Sequence, residues 1–364
     1  MVRRRTLRAA ITAMGLAALW LTAPSAQQPS IFTAGGSLPV LDSYLEALRQ
    51  QAGIPGMSAI VLNQGEPVWE KGYGFLNTAT RERATPDTPY MVGDMSGTLA
   101  AVLLLQCVEQ RRFGLDDPIG RFGLSSPESE ATLRGLLSHG SPPGSFNYSP
   151  ERYSHLTELM EWCAPQPYRK SVAHRILNRL AMRDSVPGTD LADAALGLPD
   201  GLFDASDLAR YRATLQRIAV PYKVSGRTRA DRSDLPLVPM TATGGLVSTV
   251  RDLALLDAAL DPDRAGSLLL SETLAAAWNP VADRSGQPTP MGLGWFVQFH
   301  RGERVVWHFG NVPNAYSSLV LKLPAKKITL ILLANSDGLS NAFQLPAGDV
   351  TRSLFATLFL KLTT

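Results

Sequence analysis

Tyr90-Met91-Val92-Gly93-Asp94-Met95-Ser96-Gly97-Thr98-Leu99-Ala100-Ala101-Val102-Leu103-Leu104-Leu105 is the stretch on which the reading of this chain turns. From Leu99 onward it is apolar on nearly every side, through Val108 to Leu115-Asp116-Asp117-Pro118. That pattern predicts a helix buried all round rather than one lying on a surface. Asp94 is placed to cap its N-terminus, and Gly114 with Pro118 to end it. A carboxylate in that position meets free amides and the positive end of the helix dipole, which contributes ~1 kcal/mol over Ala and lowers its basicity. Gly97 costs about 1 kcal/mol against Ala and leaves volume unfilled, so a widened, wetter pocket is expected beside it.

Working outward, residues 41–51 have helical periodicity, and 58–63 and 67–73 read as strands joined at Gln64-Gly65. Residues 119–240 are helical and loop-rich, with helical segments at 151–163 and 172–181. Thr249 and Asp252 form a second-rate capping box for the helix that follows. Strands are expected at 293–299, 304–307, 317–323 and 328–334, then an amphipathic helix at 350–361. The predicted fold is therefore α/β (α+β): an antiparallel sheet flanked by helices, built from residues 30–118 and 241–364, with a mostly α-helical domain, 119–240, inserted between them.

Several stretches together resemble the serine β-lactamase and penicillin-binding-protein superfamily, nearest its class C-like branch of β-lactamases, esterases and D-alanyl carboxypeptidases. In that family the buried helix opens with Ser-x-x-Lys and ends in a Leu-Asp-Asp-Pro turn. Counting back from Leu115 puts Asp94 at the serine position and Gly97 at the lysine position. Ser96 fails as the nucleophile, because Leu99 would then hold the lysine position. Leu136-Leu137-Ser138-His139-Gly140 resembles the family's His-Thr-Ser-Gly segment. Pro143-Gly144-Ser145-Phe146-Asn147-Tyr148-Ser149-Pro150 resembles its Tyr-Ser-Asn motif, with Pro150 in place of asparagine. Leu180-Ala181-Met182-Arg183-Asp184-Ser185 and Thr243-Gly244-Gly245-Leu246-Val247-Ser248-Thr249-Val250-Arg251-Asp252-Leu253 follow in family order, the latter being the most specific match. Gly292-Leu293-Gly294-Trp295, His308-Phe309-Gly310 and Leu333-Ala334-Asn335 complete the series, His308-Phe309-Gly310 standing where relatives carry Lys-Thr-Gly or His-x-Gly.

The resemblance implies a β-lactamase/transpeptidase-like fold, and a serine made nucleophilic by a lysine one turn later, with a tyrosine as proton shuttle and two amides as the oxyanion hole. Here the amides of Asp94 and of Asn311, after Gly310, would form that hole, while the hydroxyl and amine are missing. Asp94 then either caps the helix and nothing more, or works with Tyr148 and His308 as an acid/base cluster. Gly97, Pro150, Gly310 and Asn311 mark the remaining binding positions of this degenerate site. Pro150 removes the amide that holds a substrate's acyl side chain in relatives.

Composition fits one large globular unit: 364 residues, 45% hydrophobic and 18% charged. Lys plus Arg number 35 against 32 for Asp plus Glu, and with Arg3, Arg4, Arg5 and Arg8 set aside the body is close to neutral, which argues against nucleic acid or an anionic membrane surface as the main partner. Those arginines, an uncharged run from Ala9 to Ala23 and the exit Pro24-Ser25-Ala26 have the form of a signal peptide over 1–26, predicting a periplasmic or secreted protein, or a membrane tether if uncut. Export permits a disulfide between Cys107 and Cys163, but two buried thiols are the simpler reading, since spacing does not give connectivity. His139, His155, His174, His300 and His308 lack ligand spacing, so no metal or other cofactor is expected. The loop 225–234, with Arg227, Arg229 and Arg232, is a candidate anion clamp over the cleft, though such runs are usually solvated. Three functions follow: a catalytically degenerate protein (a pseudoenzyme) that binds a peptidoglycan-like or other acyl small molecule, or a protein; a hydrolase of ester or amide substrates using Asp94, Tyr148 and His308; or a structural envelope protein.

Overall fold

Both ends of the chain feed one sheet, as the apolar runs predict. The structure is a computed structural model that describes residues 37–124, 129–140, 145–164, 166–199, 201–226 and 229–364. The expected leader at 1–26, Pro143 with Gly144, and Arg227 lie outside the described residues. Helix α1 (Ser37–Gln51) precedes β1 (Gly56–Asn63), β2 (Glu66–Asn77) and the short β3 (Glu82–Arg83) and β4 (Tyr90–Met91). The middle of the chain supplies α2 (Gly97–Glu109), α3 (Leu133–Leu137), α4 (Ser154–Cys163), α5 (Tyr168–Val172), β5 (Val186–Pro187) and α6 (Ala205–Leu215). A hairpin, β6 (Tyr222–Ser225) and β7 (Arg229–Arg232), then leads to β8 (Leu246–Ser248), α7 (Val250–Ala258) and α8 (Ser271–Ala277). The chain closes with β9 (Phe296–His300), β10 (Glu303–Val312), β11 (Tyr316–Leu323), β12 (Ile328–Ala334) and α9 (Leu354–Thr363).

The principal sheet runs β3-β2-β1-β12-β11-β10-β9, with every pairing antiparallel. Met57 opposite Ala334 and Asn63 opposite Ile328 join the N-terminal strands to the C-terminal ones. Side chains alternate across this sheet. Leu330, Leu332, Trp307 and Phe309 face α1 and α9, while Ile331, Leu333, Val306 and Ile60 face α2 and α7. Burying each such side chain fully stabilises the fold by about 1.5–3 kcal/mol relative to leaving it exposed. Asn335, fully buried, fastens three strand ends: its side chain accepts from the Gly56 N–H at 2.7 Å and donates to the carbonyls of Phe75 and Leu76.

Helix α2 is buried at every position from Gly97 to Cys107, as its composition predicts. Its start differs from expectation. A 3-10 turn, Gly93–Ser96, precedes it, and the cap residue of α2 is Ser96, which makes no side-chain capping bond. Asp94 is therefore not the cap. The turn is pressed against β10 because Gly93, with φ +60°, and Gly310 allow it: a Cβ on Gly310 would lie 1.8 Å from the Val92 carbonyl oxygen, and one on Gly93 2.6 Å from the Asn311 nitrogen.

Two other expectations change. Cys107 and Cys163 form a disulfide rather than two free thiols, because α2 and α4 pack side by side and bring their Cα atoms to 6.4 Å. The helix expected over 350–361 is split, since Ser353 accepts from the Ala356 N–H and starts α9 after a 3-10 turn. Thr249 does cap α7, but Asp252 does not reach back to complete the box. Its carboxyl instead accepts from the Asp184 N–H and the Ser185 hydroxyl, both at 2.8 Å, which joins two of the motif segments. Behind α7, Lys322 of β11 pairs with Asp257 at 3.0 Å in the interior, and Thr329 of β12 donates to the same carboxylate at 2.9 Å. No helix among the described residues is long and apolar enough to cross a membrane.

Candidate functional site

Asp94, Tyr148, Pro150 and His308, which the sequence singles out, line one pocket together with His139, Tyr153, Ala242 and Thr243. Four separate parts of the chain meet there. Asp94 comes from the turn before α2, His308 from the stretch of β10 that runs past the end of β9, and Thr243 from the turn leading to β8. His139, Tyr148, Pro150 and Tyr153 form the fourth wall. The pocket is too constricted for a water-sized sphere.

The expected opening beside Gly97 does not exist. A Cβ placed on Gly97 would stand 2.8 Å from two ring carbons of Tyr153, so the aromatic ring occupies the volume that a longer side chain at 97 would need. Tyr153 is held firmly: its hydroxyl donates to the Leu137 carbonyl at 2.8 Å, and its ring stacks on His139 at 4.5 Å with planes 5° apart. Tyr148 packs on the other ring neighbours, 4.5 Å from His139 and 5.3 Å from Phe309. Ser96 is spent structurally, its buried hydroxyl donating to the Gly93 carbonyl at 2.8 Å. Neither a lysine nor a serine lines the pocket.

Electrostatics correct the expectation for Asp94. Its carboxyl is pushed up from 3.8 to about 7, first by burial and also by the nearby Glu151, while the Asn311 N–H acts against that shift. The amide of Asn311, expected to form half of the oxyanion hole, thus faces the Asp94 carboxyl. Desolvation outweighs it because the turn is sealed against β10 and no cation sits among the pocket's lining residues. Burial lowers His308 to about 4, although the Phe309 carbonyl 2.6 Å from Nδ1 favours its charged form. Burial also lowers His139 to about 3, with His308 and Arg152 adding to the effect. Its Nδ1 accepts from the Ser149 N–H at 3.2 Å, and among the described residues neither histidine's Nε2 has a hydrogen-bond partner. Both rings are neutral at pH 7. Tyr148 is raised well above 10, chiefly by burial and then by Asp94, so it retains its proton.

His139, Tyr153, Ala242 and Thr243 were not among the site residues read from sequence. His139 and Thr243 belong to motif segments that the sequence does show, and the positive φ of His139, 50°, marks a strained backbone of the kind found at functional sites. Tyr153 carries no such signal. Gly310 and Asn311 shape the pocket through the backbone rather than lining it. Arg229 pairs with Asp231 at 2.9 Å in the β6–β7 hairpin, and neither it nor Arg232 lines the pocket.

An antiparallel sheet with helices on both faces, and a buried helix whose first turn abuts a sheet strand, defines a β-lactamase/transpeptidase-like protein. The chain belongs to the Beta-lactamase family, whose model matches residues 41–349. It is 20% identical over 339 residues to Protein flp of Staphylococcus aureus (strain MW2), covering 81% of this chain and 62% of that protein. It is 23% identical over 345 residues to Unguisins hydrolase ungD' of Aspergillus campestris (strain IBT 28561), covering 83% and 63%. The chain therefore spans less than two thirds of the length of these relatives. The octameric penicillin-binding protein homologue from Pyrococcus abyssi has the same fold, with a TM-score of 0.70 at 21% identity over 89% of this chain and 77% of that one.

Proposed function

We propose that this chain is a catalytically degenerate member of its family, exported to the periplasm or beyond. It acts by binding an acyl or peptidoglycan-like ligand, or a protein, rather than by turning a substrate over through a serine. One observation carries this reading: Asp94 stands at the turn before α2 with no lysine beside it, and Tyr153 fills the space next to Gly97. A carboxyl shifted to about 7, with no serine hydroxyl in the pocket to activate, leaves no acyl-serine route. A pocket too constricted for a water-sized sphere favours a ligand or partner held at its mouth over one swallowed whole.

A second reading draws on the acidity of Asp94. A carboxyl at about 7, beside Tyr148 and neutral His308, suits general acid/base attack of water on an ester. Purified protein exposed to a fluorescent penicillin, a chromogenic cephalosporin and p-nitrophenyl esters separates the two. The first reading expects no covalent label and no turnover. Ester turnover abolished by Asp94→Ala establishes the second, and covalent label on any serine overturns both.

A further inference from the structure

The other end of α2 carries a separate feature that the Asp94 pocket does not use. Directly after α5 the chain makes a turn of π-helix, Ala173–Asn178, a rare geometry that recurs at functional sites. It sets Arg175 and Arg179 side by side. Neither makes an ion pair among the described residues: Arg175 donates to the Gln106 side chain at 2.8 Å and Arg179 to the Gly266 carbonyl at 3.3 Å. Burial, and then the like charge of Arg179, lower the pKa of Arg175, so the pair repels itself; Glu109, on the same cleft, accepts from the Leu270 N–H at 2.8 Å and pairs with neither arginine among the described residues.

Both guanidiniums open onto solvent clefts. A cleft of about 440 Å³ is lined by Arg175, Arg179, His174 and Glu109, and the adjoining one, about 800 Å³, is lined by Arg179, Arg264 and Arg251 together with Glu66, Glu70 and Asp252. Arg179 is their shared wall. Arg251 is already engaged by Glu70 and Asp87, and Arg264 reaches Glu66 only at 4.0 Å. Most donors of Arg175 and Arg179 thus remain unspent, in a geometry suited to forked recognition of a tetrahedral oxyanion. The 13 residues of α2 separate this place from the Asp94 pocket by about 20 Å.

We propose that Arg175 and Arg179 form a binding site for a phosphate-bearing anion, either a free phosphoryl compound or the headgroup of an anionic lipid. Calorimetric titration of the full chain with pyrophosphate at low ionic strength reads the site directly, and co-sedimentation with phosphatidylglycerol vesicles, against phosphatidylcholine vesicles, reads the lipid source. Arg179→Gln, at an exposed position, is expected to weaken pyrophosphate binding at least about tenfold. Arg121→Gln, a surface arginine paired with Asp117, removes the same charge and should leave binding unchanged. Binding to pyrophosphate alone assigns a free phosphoryl ligand, and parallel loss of vesicle binding in Arg179→Gln assigns the headgroup. Absence of binding to either probe, or equal loss in Arg121→Gln and Arg179→Gln, overturns the proposal.

Discussion

Replacing Asp94 by asparagine keeps the shape of the turn and removes the ionisable group, so the pH dependence of the difference in stability reports that carboxyl alone. In the folded chain it is pushed from 3.8 up to about 7. At 1.36 kcal/mol for each tenfold change in acidity, the cost of ionising it in place has an upper limit of about 4 kcal/mol. Asp94 retains some exposure, and solvent screening brings this to roughly 2 kcal/mol. The sign follows from proton binding: between pH 3.8 and 7 the folded state holds a proton that the unfolded state has released. The stabilisation from this group is complete below pH 3.8 and is lost as pH rises to 7. His139 and His308, with lowered values, act in the opposite sense, stabilising the fold as pH rises toward 6.5, but they are common to both proteins and cancel in the difference. Urea unfolding of wild type and Asp94→Asn from pH 4 to pH 9 should show the variant gaining on wild type up to pH 7 and holding a constant advantage above it. A variant that instead loses stability relative to wild type as pH rises would mean that the anion is held favourably, as a helix cap would hold it, and the account of Asp94 given above would be wrong.

Restoring Asp94→Ser with Gly97→Lys should give no ester cleavage, because the lysine meets the Tyr153 ring. Overpacking of this kind costs about 1–3 kcal/mol, readable as a lowered midpoint of unfolding, and adding Tyr153→Ala should recover stability and permit burst kinetics with a p-nitrophenyl ester. Reducing the Cys107–Cys163 bond, or Cys107→Ala with Cys163→Ala, removes a crosslink spanning 56 residues, for which chain entropy gives ~4 kcal/mol. Unfolding midpoints with and without reductant check this value.

Much of the fold is legible in the sequence because its signals are local. Ile328 to Ala334 is apolar at every position but Thr329 and is bounded by Lys327 and Asn335, and the strand falls where that run does. β10 outruns its expected end at 307, since its last residues pair only with β11 and include Gly310, whose reason for being there is contact with Val92 across the fold. Of the site, Asp94, Tyr148 and His308 are brought together as their order along the chain suggests. What the sequence hides is the filling of space. Nothing around Tyr153 announces that its ring will cover Gly97. The separation of Cys107 from Cys163 says nothing of two helices packed in parallel layers. The acidity of Asp94 follows local rules only when water reaches it, and here tertiary burial reverses the direction that a helix terminus alone would give.

The interior pair Lys322 and Asp257 has a consequence for how the sheet assembles. Lys322 faces α7 only in the observed alignment, with Thr329 opposite it on β12. A slip of one residue between these strands would turn the ammonium to the α1/α9 side and leave the buried Asp257 without its cation, a loss of about 3–5 kcal/mol when one partner of such a pair is removed. A buried charge on β11 thus penalises a shifted pairing, alongside the buried hydroxyls of Ser317 and Ser318 on the same strand.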